Sequence, residues 1–221
     1  MKRLHIAIDG PAGAGKSTIA KALAQRLNIA YVDTGAMYRG ITLKALRNGL
    51  DLSDASHFNF VETTEFKYRD KQLTMDGEMI EDAVRDQTIN EWVSLVASHA
   101  TVRESLVLLQ QNIASDTACV MDGRDIGTHV LPQASFKFFL TADVTTRAQR
   151  RLKDLNDRGK TLDLDYIIAD IKRRDHIDST RKLSPLVAAE DAIHIDTSHL
   201  TIDEVIATLE RKIREDENAW N

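Results

Sequence analysis

The residues best equipped for chemistry come early in the chain. Gly10-Pro11-Ala12-Gly13-Ala14-Gly15-Lys16-Ser17-Thr18 fits Gly-x-x-x-x-Gly-Lys-Ser. It lies between an apolar segment, Leu4 to Asp9, that predicts a buried strand and a segment in which Ile19, Leu23 and Leu27 recur at helical spacing. Glycines let consecutive backbone N–H groups turn inward around phosphate oxygens, and the helix opening near Lys16 directs its positive end at the same anion. In such a loop Lys16 reaches the β- and γ-phosphates of a nucleotide, and Ser17 ligates Mg²⁺. A glycine-rich turn with a chance lysine is the bland alternative, and the coincidence of motif, strand and helix argues against it.

A phosphate-binding loop does not name a reaction. A GTPase carries an Asn-Lys-x-Asp motif and an Asp-x-x-Gly switch, and the sequence has neither. A remodelling ATPase ends an apolar strand in Asp-Glu, whereas the corresponding strand here runs into Met121-Asp122-Gly123-Arg124-Asp125. An arginine thus stands where a hydrolase often keeps a water-activating acid.

The elements around these residues alternate. A short strand at Ile29 to Asp33 precedes a helix lined by Met37, Ile41 and Leu46 that stops at Gly49, and this rhythm predicts a parallel sheet. From Asp51 to Asp86 the pattern becomes antiparallel, with Phe66, Tyr68, Leu73 and Met75 alternating around Asp70-Lys71 and Asp76-Gly77 turns. Helical spacing returns with Ile89, Val93, Val96 and with Val102, Leu106, Leu109, Ile113, followed by strands at Ala118 to Met121 and Phe136 to Leu140. Two charged helices, Val144 to Asn156 and Asp163 to Ile177, flank Asp157-Arg158-Gly159-Lys160, a hinge too polar to be buried. A strand at Asp191 to Asp196 and a Thr201/Glu204 capping box introduce the final helix.

Composition sets the outer limits. The 221 residues suffice for one α/β domain with a small insertion, and 43% hydrophobic with 29% charged residues describes a globular chain rather than a disordered one. A net charge of -5 gives no general pull on nucleic acid, so anion binding must come from local arginine clusters. The single cysteine, Cys119, sits in an apolar run and reads as a packed thiol in a reducing compartment. Scattered histidines offer no metal-ligand spacing, and His176 reads as a surface residue. No signal-peptide core and no apolar run of membrane-spanning length is found, so a cytoplasmic protein without membrane or nucleic-acid partners is expected.

Beyond the loop, three further segments form a widely spaced set: Asp33-Thr34-Gly35-Ala36-Met37-Tyr38-Arg39, Asp122 through Thr128, and Arg173-Arg174-Asp175 with Asp178 and Arg181. Together with the loop they closely resemble the bacterial cytidylate kinase family over essentially the whole chain. The resemblance implies a P-loop nucleoside monophosphate kinase fold: a five-stranded parallel sheet with helices on both faces, a small antiparallel insertion and a short lid. It implies one kinase domain with a core at 1–33, 98–150 and 170–221, a monophosphate-binding part at about 34–97 and a lid at about 151–169.

By the same resemblance ATP, with Mg²⁺ on Ser17, occupies residues 10–18 together with Arg150 and Arg151, and CMP or dCMP is the acceptor. Arg39, Arg124, Arg174 and Arg181 grip the acceptor phosphate, as guanidinium forks suit a dianion. Ser94, Arg103 and Asp125 take the cytosine edge, and Thr34 and Asp178 complete the acceptor set, Asp178 near the sugar or orienting Arg181. Cytosine offers an amino donor beside two acceptors, which a carboxylate, an arginine and a serine can satisfy, whereas uracil would set its O4 against the carboxylate. Lys16, Arg124, Arg174 and Arg181 are then the catalytic cations, acting through positioning and charge neutralisation because an ionised acceptor phosphate needs no general base.

Arg147, Arg150 and Arg151 share one helix; in related kinases such arginines neutralise the transferring group, the alternative being a solvated basic face. Residues Asp154 to Tyr166 match no fixed motif. A monomer is expected. The rival readings are a kinase for UMP, AMP or a small metabolite, and a nucleotide-dependent switch that would turn ATP over without an acceptor.

Overall fold

The computed structural model describes residues 3–69 and 72–215. Five parallel strands form the main sheet in the order β2-β6-β1-β7-β8: β1 (His5–Asp9), β2 (Ala30–Asp33), β6 (Cys119–Gly123), β7 (Phe136–Thr141) and β8 (Ile193–Asp196). The central strands are buried on both faces, which is why they read as continuous apolar runs. Alternation still sorts their side chains. Ile6, Ile8, Val120, Phe138 and Leu140 face α1 (Lys16–Leu27) and α7 (Ile202–Glu215) through Leu23, Val205 and Leu209. Ala7, Val32, Cys119 and Met121 face the other way, packing with residues of α2 (Thr34–Arg47) and α4 (Ala100–Asp116) such as Met37, Ile41 and Leu106.

The insertion between α2 and α3 (Gln87–Val96) holds a 3-10 helix, Ala55–Thr63, and a separate antiparallel sheet of β3 (Phe66–Arg69), β4 (Gln72–Met75) and β5 (Glu78–Met79). Asp76 and Gly77 both have positive φ, 51° and 83°, as a two-residue hairpin turn between β4 and β5 requires. The Asp70-Lys71 turn expected from the sequence lies outside the described residues. A third apolar cluster, Ala148, Leu155, Ile167 and Ile171, joins α5 (Val144–Asn156) to α6 (Leu164–Thr180), so the charged hairpin carries a small core of its own.

Boundaries differ from expectation in a few places. Strand β8 starts at Ile193 rather than Asp191, whose carboxylate instead accepts from Lys137 at 2.9 Å. Helix α6 continues past Ile177 to Thr180. A π-helical turn at Ile126–Val130 has no periodic signal, because five residues are too few to show one. The Thr201/Glu204 capping box forms reciprocally, Thr201 N donating to Glu204 at 2.8 Å and Glu204 N to Thr201 Oγ1 at 3.3 Å. Among the described residues no helix is long and apolar enough to cross a membrane.

Two glycines show what the turns demand. Gly49, at φ 65°, closes α2 with its N–H on the Leu46 carbonyl and has open space where a Cβ would stand. Gly10, at φ 148°, has no such room: a Cβ there would lie 2.0 Å from the Leu140 carbonyl oxygen. Gly10→Ala is therefore expected to lower the melting midpoint by roughly 5–10 °C, at about 2–4 °C per kcal/mol for a chain this long. Gly49→Ala carries only the left-handed backbone penalty of about 1–2 kcal/mol. Equal midpoints for the two variants in a calorimetric scan would contradict the steric account.

Candidate active site

The site forms at the carboxyl ends of β1, β2 and β6, where the strand order reverses and helices open a crevice. A cavity of about 490 Å³ lies over the glycine loop, lined by Ala12, Gly13, Gly15, Lys16, Ser17 and Thr18. Gly10, Pro11 and Ala14 do not line it. They shape the loop instead: Pro11 O accepts from Lys16 Nζ at 2.8 Å and Ala14 O from Thr197 Oγ1 at 3.3 Å. Gly15 caps α1 at φ 87°, so Lys16 and Ser17 occupy its first turn, where backbone donors are free for an anion. Lys16 is almost wholly buried, and burial followed by the positive charge of Arg124 pushes its ammonium down to about 7.

Beside this cavity lies a second, smaller pocket. Thr34, Arg39, Ser94, Arg103, Arg124, Asp125, Arg174, Asp178 and Arg181, scattered over 148 positions of sequence from the first to the last, all line it. Asp125 is buried and accepts from Arg103 Nη2 with both oxygens at 2.8 Å, while Arg181 Nη2 stands 3.5 Å away. Asp178 Oδ2 accepts from Arg124 Nε at 2.9 Å. Burial would raise the Asp178 carboxyl, but Arg124, Arg174 and Arg181 together hold it below the usual range. Burial likewise works against the Arg124 charge, and Asp178 more than offsets it.

Arg174 is less well compensated. Its Nε only grazes Ser94 Oγ at 3.5 Å, and burial followed by repulsion from Arg124 pulls its guanidinium down to about 10. Nη2 of Arg181 and Nε of Arg103 are buried without a hydrogen-bond partner. Buried cationic donors left unpaired are costly, so the pocket is built to receive an anion.

Several lining residues were not anticipated. Tyr38 lies one helical turn beyond Thr34, and its ring packs 5.3 Å from the Arg103 guanidinium. Val93 and Ala97 flank Ser94 as apolar walls, a signal hidden because the same spacing also serves the core. Asp122 is the main omission. Its Oδ2 accepts from Ser17 Oγ at 2.8 Å, and an acid at the end of an apolar strand downstream of a phosphate loop was the available cue. Burial, then the neighbouring Asp33 charge, raises its carboxyl.

The helix arginines part company. Arg150 and Arg151 line the loop cavity, Arg150 bonded to Thr197 Oγ1 at 3.0 Å. Arg147 is neither a solvated face nor a lining residue: it is buried, donating to Ala12 O at 3.0 Å, Ala142 O at 3.0 Å and Asp175 at 2.6 Å, and so clamps the loop from below. His176 is exposed and Cys119 is fully buried.

Fold and site together define a P-loop phosphotransferase of the nucleoside monophosphate kinase class. Solved structures from Eubacterium ventriosum and Thermus thermophilus share the fold at TM-scores of 0.54 and 0.50 and 14% and 15% identity, covering 97% and 98% of this chain and 99% of each of those. The cytidylate kinase family model matches residues 6–215. Curated cytidylate kinases of Alkaliphilus oremlandii and Enterococcus faecalis are 50% and 46% identical over 93% and 97% of this chain and 95% and 97% of their own. The chain belongs to the cytidylate kinase family, and it is an ATP-dependent nucleoside monophosphate kinase.

The depressed Lys16 ammonium yields a proton-linkage test. Burial holds the ammonium well below its ordinary range in the free protein, and a polyphosphate beside it would restore the charged form, so nucleotide binding at about pH 8 is expected to take up protons. Calorimetric titration with ATP in buffers of different ionisation enthalpy is expected to show uptake in the wild type at that pH and none in Lys16→Arg, whose guanidinium never discharges. Identical buffer dependence in both proteins would count against Lys16 as the titrating group.

Proposed function

We propose that the chain transfers the γ-phosphoryl group of ATP to CMP and dCMP, giving CDP or dCDP and ADP, as a monomeric cytoplasmic enzyme of pyrimidine nucleotide metabolism. The observation that carries this reading is the shared wall between the two cavities. Gly35, Arg39, Gly123, Arg124 and Arg174 line both, so a phosphate held over the glycine loop and one held in the smaller pocket would meet across the same three guanidinium groups. That juxtaposition suits in-line transfer, in which catalysis is mostly positioning and neutralisation of charge on the moving group.

On this reading residues 10–18, Arg150 and Arg151 hold ATP, with Lys16 against its β- and γ-phosphates. Arg39, Arg124, Arg174 and Arg181 hold the acceptor phosphate; Thr34 donates to the Asp122 carbonyl at 2.7 Å and fixes the start of α2 beside it. The insertion and α3 serve the acceptor, and residues of about 151–169, at the tip of the α5–α6 hairpin, are the lid whose closure excludes water, the competing acceptor. Lys160 to Asp86 at 3.4 Å and Tyr166 to Glu91 at 2.8 Å join that hairpin to the acceptor side.

The donor set near Ser17 fits magnesium. The Ser17 hydroxyl and the Asp122 carboxylate are hard oxygen groups, and among the described residues no cluster of three or more His, Cys, Asp or Glu offers a full protein cage. Such a site suits an ion that keeps water and phosphate oxygens as ligands. Bound there, Mg²⁺ would supply neutralisation of nucleotide phosphate charge.

Cytosine is selected by Asp125 accepting from its amino group, with Arg103 and Ser94 donating to the ring acceptors. Arg103 holds both oxygens of Asp125 and so fixes the carboxylate in place, and an acceptor-only group has nothing to offer uracil O4. Asp178 is engaged with Arg124 and lies 3.9 Å from Arg181, which supports an arginine-orienting role and leaves no requirement for a ribose hydroxyl. This is the basis for including dCMP.

The test is ADP formation with each nucleoside monophosphate in turn. CMP and dCMP are expected to drive turnover at similar kcat/KM, and UMP about 10- to 100-fold less well, as mispaired buried polar groups dictate. ATP consumption independent of any acceptor would overturn the kinase reading in favour of a switch. In Asp125→Asn the CMP over UMP preference is expected to shrink by about 10-fold or more; an unchanged ratio would remove that carboxylate from base selection.

A further inference from the structure

Tyr31 lines neither cavity, yet its hydroxyl is committed to the site. It lies on β2, the edge strand of the main sheet, with Val120 as its register partner on β6. Tyr31 points to the face covered by α1, as does Asp122; Asp33, the register partner of Asp122, turns its carboxylate to the start of α2, accepting from Ala36 N at 2.8 Å and Arg39 Nη2 at 3.0 Å. The phenol reaches across one strand and donates to Asp122 Oδ1 at 3.0 Å, while Ser17 Oγ donates to Oδ2 at 2.8 Å. Both oxygens of Asp122 are thus occupied, one by the residue read as the magnesium ligand and one by a tyrosine outside the cavity.

The local electrostatics make this second bond consequential. Asp122 is 3% exposed and lies beside another carboxylate, so its ionised form needs support. Burial, followed by the charges of Asp122 and Asp33, drives the Tyr31 phenol far above its ordinary range, so the hydroxyl keeps its proton and acts only as a donor toward Asp122. A serine hydroxyl has one proton and two lone pairs. With its proton directed to Oδ2, Ser17 keeps its lone pairs for a cation, but only while Asp122 holds its orientation. Without Tyr31 nothing among the described hydrogen bonds restrains Oδ1.

We propose that Tyr31 is a positioning residue for the magnesium–nucleotide complex: by anchoring Asp122 Oδ1 it keeps Oδ2 on Ser17 and so keeps the Ser17 hydroxyl oriented to ligate the cation. The proposal rests on the reading of Ser17 as magnesium ligand, and it adds a residue from a different strand to that site.

The test is magnesium dependence of nucleotide binding, read without turnover. A fluorescent, non-hydrolysable ATP analogue is titrated into the full chain at graded Mg²⁺ concentrations. In Tyr31→Phe the Mg²⁺ needed for half-maximal enhancement of affinity is expected to rise by about 10-fold, the usual scale for a residue that orients a metal's ligand. Affinity without Mg²⁺ is expected to stay at the wild-type value. Adding Tyr31→Phe to Asp122→Asn is expected to produce little further change, because the tyrosine acts through that carboxylate.

Three results would overturn the proposal. An unaltered Mg²⁺ dependence in Tyr31→Phe, with a shifted one in Ser17→Ala, would sink the tyrosine's role and leave the ligand assignment standing. Equal weakening with and without Mg²⁺ would assign Tyr31 to packing alone. An unaltered dependence in Ser17→Ala itself would remove the metal reading and this proposal with it, while acceptor-dependent ADP formation would still judge the kinase assignment separately.

Discussion

The arrangement depends on one buried carboxylate, that of Asp9. It is the last residue of β1, and its two oxygens accept from the backbone N–H groups of Ile126 and Gly127 at 2.8 and 2.7 Å. The next residue in the chain, Gly10, opens the phosphate loop; the residues just before Ile126 are Arg124 and Asp125. A single side chain therefore couples the segment that lines the loop cavity to the segment that lines the second pocket. Burial pushes the Asp9 carboxyl up to about 6, and the two amides oppose that shift by stabilising the ionised form. A buried acid in this position is explicable only by the bonds it makes, because an unpaired buried carboxylate costs several kcal/mol even after the protein relaxes around it.

Around that anchor the charges are unbalanced in a directed way. Five arginines line the smaller pocket against two aspartates, and those aspartates are already shared among several guanidinium groups. Much of the surplus positive charge is buried, where the lower dielectric strengthens it. Helices α2, α4 and α6 and the end of β6 hold these cations in place, so an anion entering the pocket would meet them already oriented. Their mutual repulsion is a cost that the fold sustains through Asp125 and Asp178. A phosphorylated ligand would relieve it.

The loop is supported from behind by groups that never face its cavity. Arg147 holds the Ala12 carbonyl, Thr197 holds that of Ala14, and Gly10 abuts Leu140, so three later segments of the chain clamp a loop that forms near its start. Its glycines supply permissiveness, and the clamps remove it again. The result is a set of backbone donors fixed in place before any ligand arrives, which avoids much of the ordering cost of binding.

Much of this was legible in the residues themselves. The strand, loop and helix around Lys16 are local in sequence, with hydrophobic periods of their own, so the phosphate loop and most elements could be read directly. The residues of the second pocket were grouped only through resemblance: Thr34, Arg103, Arg124 and Arg181 have no spacing that betrays a common lining, since the parallel sheet joins them through long crossovers. What tertiary structure alone decided is which polar side chains turn inward and onto what. Arg147 and Arg150 look alike on one helix, yet the first is buried under the loop and the second lines its cavity. Tyr31 reads as an edge-strand aromatic, and its bond to Asp122 exists because β2 lies beside β6, a neighbour 91 residues away. Sequence carries periodicity and motif, which are short-range; the pairing of strands, set by burial of both sheet faces, determines which distant charges meet.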